Sequence, residues 1–147
     1  MNEAVTLLFG VHAHQPVGNF PEVIEQAHLR CYRPFLHTLH DYPAFRCAVH
    51  LSGWLLDWLR ARFPADMALL AGMVARGQVE LFGSGDCEPV LAAIPERDRL
   101  GQLRAGNARL AAWSGAAPQG AWLTERVWDS AVVPALAAAG IRYAMVD

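Results

Sequence analysis

The apolar residues of this chain change their spacing again and again, and that alternation limits the fold more than any other feature. Residues 5–11 are a nearly continuous apolar run, as a parallel strand covered on both faces requires. A helical period then takes over, with Ile24, Ala27, Cys31, Phe35 and Leu39 on one face and Pro34 positioned to kink or split it. Residues 45–51 form a second strand candidate, after which Ser52 is expected to cap a helix carrying Leu55, Leu56 and Leu59. A further helix after Pro64 buries Met67, Leu70, Ala71 and Val74 and stops at Gly77. Residues 79–82 give a third strand. A long helix from Pro95 to near Gly115, a short fourth strand at 120–123, a helix opening at Asp129 or Ser130 and a fifth strand at 141–146 complete the series.

Strands that alternate with helices mean βαβ units and a parallel sheet. An open doubly wound sheet and a closed barrel both fit that order. Polar and aromatic groups gather after strand one (His12, His14, Gln15), after strand three (Asp86, Glu88) and at the end of strand four (Trp122, Glu125), and Asp147 follows strand five. Open sheets bind at one switch point, whereas barrels collect side chains from several strand ends around one mouth, so the distribution favours a barrel. No helix follows Asp147, which leaves an unfinished sheet edge. Residues 1–147 are therefore expected to be the N-terminal portion of a barrel, truncated after its fifth strand or completed by a partner.

Composition narrows the function. With 54% hydrophobic and 18% charged residues the chain is not disordered, and a net charge of −2 supplies no field for nucleic acid or anionic lipid. No run reaches the roughly 18 apolar residues of a membrane helix, and the first residues lack the basic start of a signal peptide. The three cysteines fit no zinc spacing, so reduced thiols and a cytoplasmic setting are expected.

Three segments carry candidate chemistry. In His12-Ala13-His14-Gln15-Pro16 the two histidines point the same way on an extended chain, as a metal pair, as donors to a polar ligand, or as rings satisfied by backbone. Gly83-Ser84-Gly85-Asp86-Cys87-Glu88-Pro89 either lets backbone approach a ligand beside the Glu88 carboxylate or is a solvated acidic turn. A phosphate loop is excluded, because no Gly-Lys-Ser/Thr follows. Trp122-Leu123-Thr124-Glu125-Arg126-Val127-Trp128-Asp129 sets a carboxylate between two tryptophans, which stack on sugar rings or else belong to the core with Glu125–Arg126 as a surface pair. Arg126 would help to hold Glu125 ionised.

In order and spacing these segments resemble glycoside hydrolase family 57, a family of (β/α)₇ barrels that includes 4-α-glucanotransferases and α-amylases. Tyr32-Arg33-Pro34-Phe35-Leu36, Ala48-Val49-His50-Leu51-Ser52-Gly53, Arg76-Gly77-Gln78-Val79-Glu80 and Ala139-Gly140-Ile141-Arg142-Tyr143 are similar to it as well. The resemblance implies an incomplete α/β barrel of about five strands and a retaining glycosidase or transglycosidase acting on α-1,4-glucans. It implies Glu125 as nucleophile, His14 and Glu88 as sugar ligands at the cleavage point, Trp122 as a stacking wall, and His12 and Asp147 as secondary contacts, with no cofactor and no metal. Asp86-Cys87 departs from the bulkier, often aromatic residues usual there. The acid/base aspartate lies in a signature downstream of residue 147, so this stretch alone is expected to be close to inactive. Two other readings stand beside it. One is a metal-dependent carbohydrate hydrolase or deacetylase using His12 and His14 with Asp86 or Asp147; the other is a remnant that binds glucan without turnover. Self-association through the unfinished edge is a further expectation.

Overall fold

The computed structural model describes residues 5–146. Five strands, β1 (Gly10–Ala13), β2 (Cys47–Leu51), β3 (Val79–Gly83), β4 (Gly120–Ala121) and β5 (Tyr143–Ala144), pair in parallel and in chain order. Between them run α1 (Pro21–Ala27), α2 (Arg33–Asp41), α3 (Gly53–Arg62), α4 (Pro64–Ala75), α5 (Glu96–Ser114) and α6 (Val133–Ala138). A doubly wound sheet reverses its strand order at a switch point, and this one does not. The sheet also curls. A Cβ added at Gly10 on β1 would lie 4.0 Å from Met145 Sδ, just past β5, whereas a flat sheet of this width holds its edges roughly 19 Å apart. Sequential parallel order and curl together make a barrel wall.

Strand alternation sorts the wall into two faces. Val11, Ala13, Val49, Leu51, Val79 and Leu81 pack with Leu55, Leu59, Met67 and Leu70 of α3 and α4 in the larger apolar core. Ala121 and Leu123 do the same in a second core, with Leu103 of α5, Val132, and Leu136 of α6. The intervening positions, His12, His50, Phe82, Ser84 and Trp122, take the other face. The helices claim the aliphatic residues at alternate positions, and the polar and aromatic ones are left together on the concave side.

Several elements depart from the expected pattern. Residues 5–9 lie outside the ladder, with Val5 94% and Leu8 89% exposed. β2 begins at Cys47, and the Ala48 N–H already takes the Phe9 carbonyl at 2.9 Å, so earlier residues have no β2 backbone opposite them. The helical stretch continues through Pro34 by a π-helical turn, His28–Tyr32, in which the Arg33 N–H reaches back to the His28 carbonyl. The turn falls where Pro34 has no N–H to donate. Its wider winding shifts the buried stripe: Ile24, His28, Leu36 and Leu39 are buried, and Cys31 is exposed. Ser52 occupies the N-cap of α3 but its hydroxyl makes no capping bond. The first N–H of α3, from Gly53, goes instead to the Asp86 carbonyl at 3.0 Å, tying this helix to the loop after β3. β5 is short because β4 offers only Gly120 and Ala121 for pairing. Among the described residues no helix is long and apolar enough to cross a membrane.

Candidate active site

The strand ends β1 to β4 converge on one group of side chains. His12 and His50 are register partners on β1 and β2, and their Nδ1 atoms stand 2.7 Å apart. His14, two residues on, turns the same way, with its ring centroid 5.4 Å from that of His12. Both reach Glu88: His12 Nε2 is 3.2 Å from Oε1, and His14 Nδ1 is 3.2 Å from Oε2. The His14 contact is a hydrogen bond. The His12 contact is close but misaligned, so Glu88 Oε1 is buried without a hydrogen-bond partner. Trp122, just past β4, stacks on His12 at 4.7 Å and 13°, and its Nε1 is likewise buried without a partner. Tyr32 from the π-helical turn donates to the His14 carbonyl at 2.9 Å and accepts from Gln15 Nε2 at 3.2 Å, which holds the chain after β1 in place.

Glu88 is positioned by a loop pressed onto α5. A Cβ at Gly106 would meet the Ser84 carbonyl at 2.6 Å, so only glycine lets the helix approach so closely. Gln102 accepts from the Asp86 and Cys87 N–H groups at 3.1 and 3.0 Å, through its carbonyl and its side chain respectively. Asp86, which the sequence offered as a metal ligand, is instead held by Arg109, with Nε–Oδ1 at 2.9 Å and Nη2–Oδ2 at 3.0 Å. The ligand atoms of His12, His14 and Glu88 lie within 4.8 Å of one another without it.

Among the described residues, the non-glycine positions with positive φ are Glu88 (56°), Glu125 (53°) and Arg126 (53°). Such backbone costs on the order of 1–3 kcal/mol per residue and persists where the surroundings impose it. Glu125 is exposed in the left-handed turn Thr124–Arg126, and Trp128 is 51% exposed, so neither belongs to the core. Burial raises the Glu88 carboxyl above its ordinary value, His14 opposes that rise, and the charge of Glu125 adds to it. The two carboxyl groups therefore share one electrostatic neighbourhood. Burial, reinforced by His14, pushes His12 down to about 4. Burial pushes the deeper His50 well below its ordinary range.

The structure thus brings His12, His14, Glu88 and Trp122 into contact, and the charge of Glu125 is felt at Glu88; Asp147 lies outside the described residues. Sequence reasoning missed His50 and Ser84. Their signal was present: a histidine inside the apolar run 47–51 falls opposite His12 once the first two strands pair in register.

Comparison with known proteins places the chain in a family. The family model for glycosyl hydrolase family 57 matches residues 8–147. A 4-alpha-glucanotransferase of Thermococcus kodakarensis is 48% identical over 145 residues, 99% of this chain and 22% of the relative. An alpha-amylase of Pyrococcus furiosus is 45% identical over 150 residues, covering 100% of this chain and again 22% of the relative. The crystal structure of the 4-alpha-glucanotransferase from Thermococcus litoralis superposes with a TM-score of 0.91 at 45% identity, over 95% of this chain and 22% of that one. The chain spans about a fifth of the length of the relatives it matches. On the extent of the family match and these identities, it belongs to glycosyl hydrolase family 57.

Proposed function

We propose that the mouth formed by β1 to β4 is a glycosyl-transfer site for α-1,4-linked glucans, working by retaining double displacement with Glu125 as nucleophile. The observation that carries this reading is the contact of His12, His14, Glu88 and Trp122 at one set of strand ends, with Glu125 on left-handed backbone three residues past Trp122. The names of the relatives, 4-alpha-glucanotransferase and alpha-amylase, supply the substrate class. A Glu125 oxygen attacks the anomeric carbon, the glycosidic C–O bond breaks, and a general acid protonates the departing oxygen. Water or a glucan hydroxyl then displaces Glu125, giving hydrolysis or transfer. In this reading His14 and Glu88 bind the sugar at the cleavage point, Trp122 stacks on a ring and His12 accepts or donates at its rim.

A 5-fluoro maltosyl fluoride tests the assignment without needing the acid, because fluoride leaves unprotonated. The expected result is a glycosyl adduct mapped to Glu125 and absent in Glu125→Gln. An adduct on another residue, or none, overturns it. A second reading, a metal-dependent carbohydrate hydrolase, has in its favour the 4.8 Å cluster of His12, His14 and Glu88. Sugar chemistry abolished by a chelator and restored by zinc would select it. A cytoplasmic setting belongs to the main proposal, supported by the free thiols of Cys31, Cys47 and Cys87. Self-association does too, supported by the exposed Leu7, Leu8, Tyr143 and Val146 near the two sheet edges, and sedimentation velocity measures it.

A further inference from the structure

His50 takes no part in the chemistry above, yet both of its ring nitrogens are engaged. Nδ1 stands 2.7 Å from His12 Nδ1, and Nε2 stands 2.7 Å from Ser84 Oγ. The direction of each hydrogen bond in this row follows from its far end. Ser84 Oγ is 3.0 Å from the Gly85 carbonyl. A carbonyl only accepts, so the Ser84 proton points to Gly85, and Ser84 receives from His50 Nε2–H. Burial keeps the His50 ring neutral, and a neutral ring protonated at Nε2 has its lone pair at Nδ1. His12 Nδ1–H therefore donates to His50. His12 is itself neutral at ordinary pH, which leaves its Nε2 bare of a proton. That lone pair faces the buried Glu88 Oε1 at 3.2 Å, and the two acceptors side by side both still call for a donor. The Trp122 ring stacked on His12 opposes the ring flip that would put carbon atoms where the two nitrogens stand.

We propose that His50 and Ser84 are positioning residues: their relay to the Gly85 carbonyl locks His12 in its Nδ1–H tautomer, so that His12 Nε2 accepts a hydrogen bond from a sugar hydroxyl. Histidine free in water favours the opposite tautomer, so the form found here has to be enforced. A site built to take a hydroxyl proton discriminates against analogues that lack that hydroxyl, since its acceptor is then left unpaired. The tautomer stands without any functional reading; the ownership of the hydroxyl rests on the glycosyl-transfer proposal.

Nitrogen-15 NMR of the histidine rings in the whole chain near neutral pH reads the tautomers directly. The expected spectrum has His12 protonated at Nδ1 and bare at Nε2, and His50 the reverse. His50→Leu, apolar for a buried site, should return His12 to the Nε2–H form. Ser84→Ala should leave both rings in mixed tautomers, and it serves if His50→Leu does not fold. A protonated His12 Nε2 in the parent overturns the proposal, and an unchanged His12 tautomer in a folded variant removes that residue from the relay. Maltotriose should shift the His12 Nε2 resonance and bind about tenfold more weakly, or worse, to the folded variants. Zinc ion that takes His12 Nε2 stoichiometrically would make the acceptor a metal ligand and overturn the hydroxyl assignment. A locked tautomer with no adduct on Glu125 would retire the glycosyl-transfer reading and leave the relay standing.

Discussion

Asp66 and Glu88 are both buried carboxyl groups facing two histidines each, and burial raises both, yet only Glu88 stays raised. Asp66, in the first turn of α4, accepts from His28 Nε2 at 2.7 Å, Arg33 Nε at 2.8 Å and His37 Nε2 at 3.0 Å. The hydrogen bonds from His37, His28 and Arg33 outweigh its burial and hold it far below the ordinary carboxylate range. Glu88 draws its ion pairs from histidines, sits on positive-φ backbone, leaves one oxygen without a hydrogen bond among the described residues and feels the charge of Glu125. The first cluster uses its carboxylate fully and joins the π-helical turn to α4. The second keeps hydrogen-bonding capacity unspent at a mouth. The same residue types make a staple in one place and a binding site in the other.

The largest test of that contrast is Asp66→Ala. It leaves His28, fully buried and stacked on Phe63 at 4.0 Å, without its partner, and frees the Arg33 guanidinium. A loss of about 3–5 kcal/mol in urea unfolding is expected, with adduct formation on Glu125 intact where both proteins are folded. The sign with pH follows from linkage. Because the folded Asp66 value is depressed, its contribution is full above the ordinary 3.8 and is lost as pH falls below that. Parent and variant should therefore converge in stability in acid, and a constant gap down to low pH would break the account.

Gly106→Ala should cost roughly 1–3 kcal/mol through overpacking, although alanine is the better helix former by about 1 kcal/mol. The added methyl meets the Ser84 carbonyl, which is backbone and cannot swing aside. The displaced loop carries Glu88, so maltotriose affinity should fall with stability. A variant as stable and as sugar-binding as the parent would show that helix contact does not position the loop.

Glu88→Gln comes next. The amide copies a neutral acid in shape, and its N–H and C=O suit the facing His12 and His14. The folded Glu88 value is raised, so its contribution is present below the ordinary 4.5 and is lost as pH rises through the folded value. This slope is opposite to that of Asp66. The groups facing Glu88 are His12 and His14 at the end of β1, Tyr32 from the π-helical turn and Glu125 after β4. Thermal melts across pH should show the variant flatter than the parent above 4.5 and at least as stable at neutral pH. A variant clearly less stable at neutral pH would mean that Glu88 is held as a carboxylate.

The order of strands was legible in the sequence because period changes survive without tertiary information, and so was the meeting of His12, His14, Glu88 and Trp122. Contacts that depend on register or winding were not. Residues 5–9 carry strand composition, but pairing needs an opposite backbone, and composition does not encode where β2 begins. The position of His28 depends on a π-helical turn, which a regular 3.6-residue period cannot describe. Ser84 lay in a segment read as a ligand-approaching backbone or a solvated acidic turn, and its buried bond to His50 requires β2 and β3 to be laid side by side.

The smallest expected effects come from the outer histidine of each cluster, and they sharpen the contrast most. His37 and His14 are both substantially exposed, at 58% and 43% of their side chains, and meet their carboxylates at 3.0 and 3.2 Å. Exposed pairs contribute roughly 0.2–1 kcal/mol, and glutamine keeps a donor, so His37→Gln and His14→Gln should each move the urea midpoint little and by similar amounts. Their effect on adduct formation should differ. His14 lies at the mouth and its loss removes a polar group from the sugar, expected to slow trapping about tenfold. His37 lies in the other cluster, bonded to Asp66, and its replacement should leave trapping unchanged. Equal slowing by both would mean that the two clusters are coupled, and that the division between staple and site drawn from their hydrogen bonds does not hold.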